Sequence, residues 1–177
     1  MHRSTAHTHR TTAPVLRGTS GALAPWVPVG RRLVLIDLEN LVGGSGATLE
    51  TVRDALAALD VAVGRRADDV RVVASGSTLI TTSMCLLSGT RVSLGRGKDG
   101  ADLRLLDDLE PAHVVGRFDS VVLVSADGVA FADRVATLAR LGVPTDVVIG
   151  AGPCSHRLAR SARSVRSVHG PQFALAA

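Results

Sequence analysis

Aromatic side chains are almost absent from this chain of 177 residues, since they make up 2% of it. They are Trp26, Phe118, Phe131 and Phe173. Their scarcity argues against nucleic-acid binders that stack successive bases on rows of aromatic rings. It also leaves the core to valine, leucine, isoleucine and alanine, a composition that suits helices packed on a parallel sheet. Apolar residues reach 46% and charged residues 20%, so the composition indicates a folded protein.

Long apolar runs and a cysteine motif are lacking as well. The chain has no run of about 18 or more apolar residues, which argues against a membrane span. Its N-terminus has no apolar stretch of the kind that a secretory signal contains. Cys85 and Cys154 do not form a CxxC motif. One disulfide between them is the alternative to our preferred interpretation, which is free buried thiols in a cytoplasmic protein.

Acidic residues are missing from both ends of the chain. Residues 1–32 hold five arginines and residues 151–177 hold four, and neither segment has an acid. Residues 33–150 carry 16 acidic and 11 basic side chains. Basic ends are typical of solvated tails or of contacts with a polyanion. One explanation for an acidic middle is a cluster of carboxylates around a cation.

The composition along the chain predicts one domain between two tails. Residues 1–30 are rich in Thr, Ser, His, Arg, Pro and Gly and have no apolar period, so we predict a disordered basic tail there. Residues 31–170 form the predicted domain, and residues 171–177 form a C-terminal tail. The apolar, aromatic-poor helices predicted below are compatible with a homodimer.

Short apolar segments alternate with helical patterns along the predicted domain. The predicted strands are Leu33–Asp37, Val70–Ser75, Arg91–Leu94, Ser120–Ser125 and Thr145–Gly150. The predicted helices are Thr48–Leu59, Thr78–Leu87, Ala101–Leu109, Ala130–Leu141 and Cys154–Val165. This alternation predicts an α/β fold, a three-layer sandwich around a mainly parallel sheet of five or six strands.

Carboxylates follow three of the predicted strands where each strand ends. Asp37 ends the first strand, Asp102 lies in the first turn of the helix after the third, and Asp127 follows the fourth. We expect them to converge, because the carboxyl ends of parallel strands meet at one edge of a sheet. Converging carboxylates repel one another, and Mg²⁺ resolves this with two or three carboxylates and several waters. The alternative for Asp102 and Asp127 is that they only complement helix N-termini.

Three segments, taken in order, resemble the NYN family of PIN-like ribonuclease domains, over about residues 31–168. The family's D-x-x-N strand resembles LVLIDLENL, with Asp37 and Asn40. Its central helix start resembles KDGADLRLLDDL, with Asp102. Its S-G-D-x-x-F strand and helix resemble VVLVSADGVAF, with Ser125 and Asp127. The resemblance implies a PIN-like, Rossmann-like sheet.

The resemblance also implies an activity, namely metal-dependent endonucleolytic cleavage of RNA. Asp37, Asp102 and Asp127 would hold Mg²⁺ or Mn²⁺, which generates a hydroxide nucleophile near neutral pH. Asn40 would complete the catalytic set by orienting Asp37 or the attacking water. Glu39 is interpreted as a solvent-facing or supporting residue.

Basic residues near the predicted site would hold the RNA backbone without reading its sequence. We expect Arg96 and Lys98 to do so from the loop after the third strand. Arg157 and Arg160 would do so from the last predicted helix, in which arginine recurs at every third position. Ser125 would add a hydrogen bond to the substrate.

Two residues depart from the family pattern. Val129 stands where many members carry a second acid, and Ala126 stands where they carry glycine. The alternative function is therefore a catalytically weakened module that binds RNA or a protein. A phosphohydrolase that uses Asp37 as its nucleophile and a receiver-like signalling domain are further alternatives.

Overall fold

The computed structural model describes residues 30–150 and 152–168. The predicted tails, residues 1–30 apart from Gly30 and residues 171–177, lie outside the described residues. The strands are β1 (Arg32–Asp37), β2 (Val70–Ser75), β3 (Arg91–Leu94), β4 (Ser120–Val124), β5 (Thr145–Ile149) and β6 (Ser164–Ser167). The helices are α1 (Leu38–Val42), α2 (Leu49–Val63), α3 (Ser77–Ser83), α4 (Gly100–Asp108), α5 (Pro111–Val114), α6 (Gly128–Arg140) and α7 (His156–Ser161).

The strands form one parallel sheet in the order β3-β2-β1-β4-β5-β6. The predicted α/β sandwich with a parallel sheet is confirmed. The strand order reverses between β1 and β4, and open sheets of this kind leave a crevice at that point, outside the carboxyl ends of the strands. The residues that follow β1 and β4 therefore lie where such folds bind ligands.

Strand β1 is buried on both faces, which explains its continuous apolar sequence. Leu33 and Leu35 join an apolar cluster with side chains from α4, α5, α6 and α7. Val34 and Ile36 join a second cluster with side chains from α1, α2 and α3. The sheet is thus the middle of three layers, and side chains alternate between the two cores.

Two helices follow their predicted patterns closely. Thr48 caps α2, and its hydroxyl accepts from the backbone N–H of Thr51 at 3.2 Å. Phe131, Val135 and Leu138 on α6 are fully buried, as predicted. The helices α1 and α5 were not predicted, because segments of five and four residues are too short to show a helical period.

The last predicted helix is wrong in its second half. Helix α7 ends at Ser161, and the chain then pairs with β5 as strand β6. The reason is Asp146 on β5, which is 1% exposed. Its carboxylate accepts from the guanidinium of Arg163 and from the hydroxyl of Ser164 at 2.8 Å. A buried carboxylate needs such partners, and they are available only if the helix stops before them.

The cysteines and the helix lengths bear on two further expectations. Cys85 and Cys154 are both free thiols. Cys85 is exposed and Cys154 is half-buried, so the expectation that both are buried is wrong. Every helix in the described ranges falls short of the length and hydrophobicity that crossing a bilayer requires.

Candidate functional site

An acidic pocket of about 230 Å³ opens at the carboxyl edge of the sheet, beside the reversal of strand order. It is lined by the segment after β1, by glycines after β2 and β3, and by the start of α4. Four carboxylates line it, those of Asp37, Glu39, Asp99 and Asp102. Lysine and arginine are absent from the described residues that line it, so the pocket is strongly negative.

Asp37 ends β1 and is 7% exposed. Its carboxylate caps the short helix α1 and accepts from the backbone N–H of Asn40 at 3.0 Å. Burial raises the pKa of Asp37 to about 7, and the charges of Asp102 and Glu39 add to the shift against the hydrogen bond from Asn40. Without a cation, Asp37 is therefore partly protonated near neutral pH.

Asp102 lies in the first turn of α4, as predicted. Its Oδ1 atom is buried and has no hydrogen-bond partner among the described residues. Burial raises the pKa of Asp102 to about 6, helped by the charges of Asp127, Asp99 and Glu39. An unpaired carboxylate oxygen costs free energy when it is buried, unless a proton or a cation satisfies it.

A pair of glycines fixes the position of α4 against the end of β3. A Cβ atom on Gly95 would lie 2.4 Å from the backbone nitrogen of Ala101. A Cβ atom on Gly100 would lie 2.9 Å from the carbonyl carbon of Gly95. The two backbones touch because neither residue has a side chain, and this contact brings Asp102 to the pocket.

Gly100→Ala is expected to lower the free energy of unfolding by about 1–3 kcal/mol, because the new methyl group meets backbone that cannot rotate away. Alanine in a helix is otherwise more favourable than glycine by roughly 0.5–1 kcal/mol, so the sign is informative. Urea unfolding measures the change. Gly46→Ala is the control, because a Cβ atom there has open space. A Gly100→Ala protein as stable as the wild type would disprove the close contact.

Asn40 joins the two strands at the reversal point. Its side-chain oxygen accepts from the backbone N–H of Ala126, just after β4, at 3.1 Å. The orientation of Asp37 that we predicted for Asn40 comes instead from the Asn40 backbone N–H. The side chain thus holds the carboxyl ends of β1 and β4 together.

Asp127 and Ser125 form the turn between β4 and α6. The Oδ1 atom of Asp127 caps α6, accepting from the backbone N–H groups of Val129 at 2.8 Å and Ala130 at 3.3 Å. Ser125 is fully buried, and its hydroxyl accepts from the backbone N–H of Asp127 at 3.2 Å. The contact between Ser125 and substrate stays a prediction, since the observed role of its hydroxyl is within this turn. There it positions Asp127.

The three predicted metal ligands are brought together unequally. Asp37 and Asp102 line one pocket. Asp127 raises the pKa of Asp102 through its charge but does not line that pocket. Over residues 30–150 and 152–168, no three His, Cys, Asp or Glu side chains are arranged to hold a metal ion. The metal set of three aspartates stays a prediction.

Glu39 takes a larger part in the site than the sequence predicted. Its Oε1 atom accepts from the hydroxyl of Ser75 at 3.1 Å and from the backbone N–H of Gly76 at 2.9 Å. Glu39 therefore ties the end of β1 to the end of β2 while its charge acts on Asp37 and Asp102. The signal that could have found this role is its position. Glu39 comes two residues after the end of β1, and β2 is the strand next to β1 in the sheet.

The four basic residues predicted to bind substrate divide into two groups. Arg96 and Lys98 are exposed in the loop between β3 and α4. Arg96 lines a groove of about 510 Å³ that shares Glu39 and three glycines with the acidic pocket. Arg157 and Arg160 are exposed on α7, where Arg157 Nη2 pairs with Asp133 Oδ1 at 2.6 Å. Only the loop residues adjoin the pocket.

The predicted row of arginines on one helix does not form. Arg163 pairs with the buried Asp146, and Arg166 lies on β6. Of the four arginines that recur at every third position, only Arg157 and Arg160 lie on helix α7. A basic surface built on this spacing is reduced to half its expected size.

Comparisons with known proteins show the fold only. No protein-family model matches the chain, and no curated protein matches it. Among solved structures, a protein of unknown function from Vibrio parahaemolyticus is similar, with 18% sequence identity and a TM-score of 0.54. The match covers 80% of this chain and 94% of that one. The resemblance to the NYN family stays a prediction.

Proposed function

We propose that this protein is a metal-dependent endoribonuclease that cleaves RNA phosphodiesters at the acidic pocket. The observation that carries the proposal is the buried Oδ1 atom of Asp102, which has no partner among the described residues and lies beside other carboxylates. A divalent cation would remove both the unpaired oxygen and the mutual repulsion of the acids. Membership of the NYN family is part of the same proposal.

The donor atoms suit Mg²⁺ or Mn²⁺. Both are satisfied by carboxylate oxygens, and Mg²⁺ keeps several waters, so two protein carboxylates are enough to hold it. Asp37 and Asp102 would hold the ion, with Asp127 as the third ligand. Asp127 also caps α6, since its Oδ1 atom accepts from the backbone N–H groups of Val129 and Ala130. The pocket of about 230 Å³ has room for the remaining waters.

The other residues of the pocket position these groups and the substrate. When bound, the ion supplies a hydroxide nucleophile near neutral pH and offsets negative charge on the phosphate. Asn40 holds Asp37 through its backbone N–H and fixes the gap between β1 and β4 through its side chain. In-line attack on the RNA phosphodiester would leave one product with a 5′-phosphate and the other with a 3′-hydroxyl.

Arg96 and Lys98 would hold the RNA backbone on the β3–α4 loop, next to the carboxylates. Contacts of this kind release counterions, so the affinity for RNA falls steeply with salt and depends little on sequence. Arg157 and Arg160 on α7 would extend the contact. The free thiols of Cys85 and Cys154 fit a reducing compartment, so we place this activity in the cytoplasm.

A direct test uses structured and unstructured RNA with Mg²⁺, with Mn²⁺ and with EDTA. Cleavage is expected with either metal and is expected to stop with EDTA, with 5′-phosphate ends on the products. Cleavage that continues in EDTA would refute the proposed mechanism. RNA that stays intact under all conditions would refute the activity itself.

A non-catalytic binding module is the second candidate function. It is favoured by the lack of a ready group of three metal ligands in the part of the chain that the structure describes. Val129, which is 90% exposed where an acid is common in the NYN family, favours it too. Calorimetry with Mn²⁺ separates the candidates: the enzyme binds the ion and Asp102→Asn weakens that binding, whereas the module shows no such binding.

A further inference from the structure

A second concave site, the arginine pocket, lies beside α2 and away from the acidic pocket. Its volume is about 200 Å³, and its lining includes Arg53, Leu56, Asp60, Arg65, Arg71 and Thr90. Arg71 precedes Ser75, at the carboxyl end of β2, by four residues, which is roughly 13 Å along a strand. The two pockets share no lining residue.

Positive charge exceeds negative charge in the arginine pocket. Three arginines and one aspartate line it. Asp60 is shared between two guanidinium groups, since it accepts from Arg71 Nη1 at 2.5 Å and from Arg65 Nη1 at 2.9 Å. Arg53 is exposed and forms no ion pair with any described residue. The net charge of the lining is thus two positive charges, which an anion would offset.

The buried guanidinium of Arg71 is incompletely paired. Its side chain is 7% exposed, and its Nε atom has no hydrogen-bond partner among the described residues. Its hydrogen bond to Asp60 uses Nη1 alone. A buried cation that has half of one carboxylate as its counter-charge is costly, so the site is poised to gain from a further acceptor.

We propose that the arginine pocket binds a small phosphate monoester. The planar fork of arginine matches phosphate oxygens, and a dianion offsets the two excess positive charges. The hydroxyl of Thr90 can donate to the same group, and Leu56 and Val73 line an apolar wall for the organic part. The pocket is smaller than the roughly 300–1,000 Å³ of sites for drug-sized ligands, so the ligand is small.

The test is calorimetric titration of the full chain in EDTA with inorganic phosphate, glycerol phosphate and acetate. Glycerol phosphate is expected to bind at one site and more tightly than acetate. Arg53→Ala and Arg65→Ala are each expected to weaken this binding by at least about tenfold, because each removes one charge-assisted contact. Both side chains are exposed, so the variants keep the fold. The same titration is made with a 5′-phosphorylated oligoribonucleotide and with its unphosphorylated form. The difference between the two affinities shows whether the pocket takes a phosphate on RNA or only a free monoester.

Two controls keep the result specific. Arg140→Ala removes an exposed arginine at the end of α6 and is expected to leave phosphate binding unchanged. Asp102→Asn alters the acidic pocket and is expected to leave phosphate binding unchanged as well. Phosphate binding can therefore be observed even if the ribonuclease proposal fails. Acetate binding as tight as glycerol phosphate, or unaltered binding by the Arg53→Ala and Arg65→Ala variants, would overturn the proposal.

Discussion

Replacing Asp102 with asparagine is expected to lower the rate of metal-dependent RNA cleavage by about 10³-fold. The change removes a negative charge from the pocket and leaves the shape of the side chain nearly intact. It lowers the affinity for the cation and weakens the electrostatic stabilisation that such ions give to reacting phosphates, which is worth several kcal/mol. Initial rates of cleavage at saturating Mg²⁺ and at saturating Mn²⁺ measure the effect.

The matched control for this experiment lies on the same helix. Asp107 is an exposed acid in the last turn of α4, so Asp107→Asn changes the net charge equally without touching the pocket. We expect Asp107→Asn to cleave at the wild-type rate. Equal losses in the two variants would mean that net charge, not the pocket, determines the rate. An Asp102→Asn protein that cleaves normally would remove Asp102 from the catalytic site.

The strands and the layers could be predicted because their signal is local. Strand β1 is apolar and buried from Leu33 to Ile36, and the short apolar runs of the later predicted strands alternate with helices in the same way. The predicted boundaries of these strands differ from the observed ones by one residue at most. Local signals fail at α7, where the spacing of the arginines suits a helix. The chain leaves the helix for Asp146, which is 17 positions before Arg163.

The site was predictable only as far as strand ends determine it. Asp37 and Asp102 line one pocket because parallel strands bring their carboxyl ends to one edge. The role of Glu39 depends on Ser75 and Gly76, which lie 36 and 37 positions further along the chain, so no local pattern records it. Ser125 is different, because its hydroxyl accepts from the backbone N–H of Asp127 only two residues on. Asp127 shows both effects, since its position follows from β4 but its carboxylate is used as a helix cap.

The repulsion within the acidic pocket makes function and stability oppose each other. Carboxylates that are buried near one another destabilise the metal-free fold, and they are the groups that hold a cation. The Asn40 and Glu39 side chains hold three strand ends together around these mutually repelling carboxylates. Neutralising one acid should therefore stabilise the fold as it weakens the site.

In EDTA, the protein is expected to lose stability as the pH rises from about 4 to about 7, and Asp37→Asn is expected to remove about 3–4 kcal/mol of that loss. The pKa of Asp37 is about 7 in the folded protein and 3.8 as its ordinary value, so the folded state binds more protons within this window. The free energy of unfolding therefore falls as the pH rises. It is restored when Asp37 is protonated, when Mg²⁺ binds, or when asparagine replaces Asp37. Asparagine caps helices as well as aspartate does, so α1 is retained. Urea unfolding at pH 4 and pH 7 measures the difference, with the exposed Asp54→Asn as control. An Asp37→Asn protein with the same pH dependence as the wild type would contradict the buried, repelled carboxylate on which the acidic pocket depends.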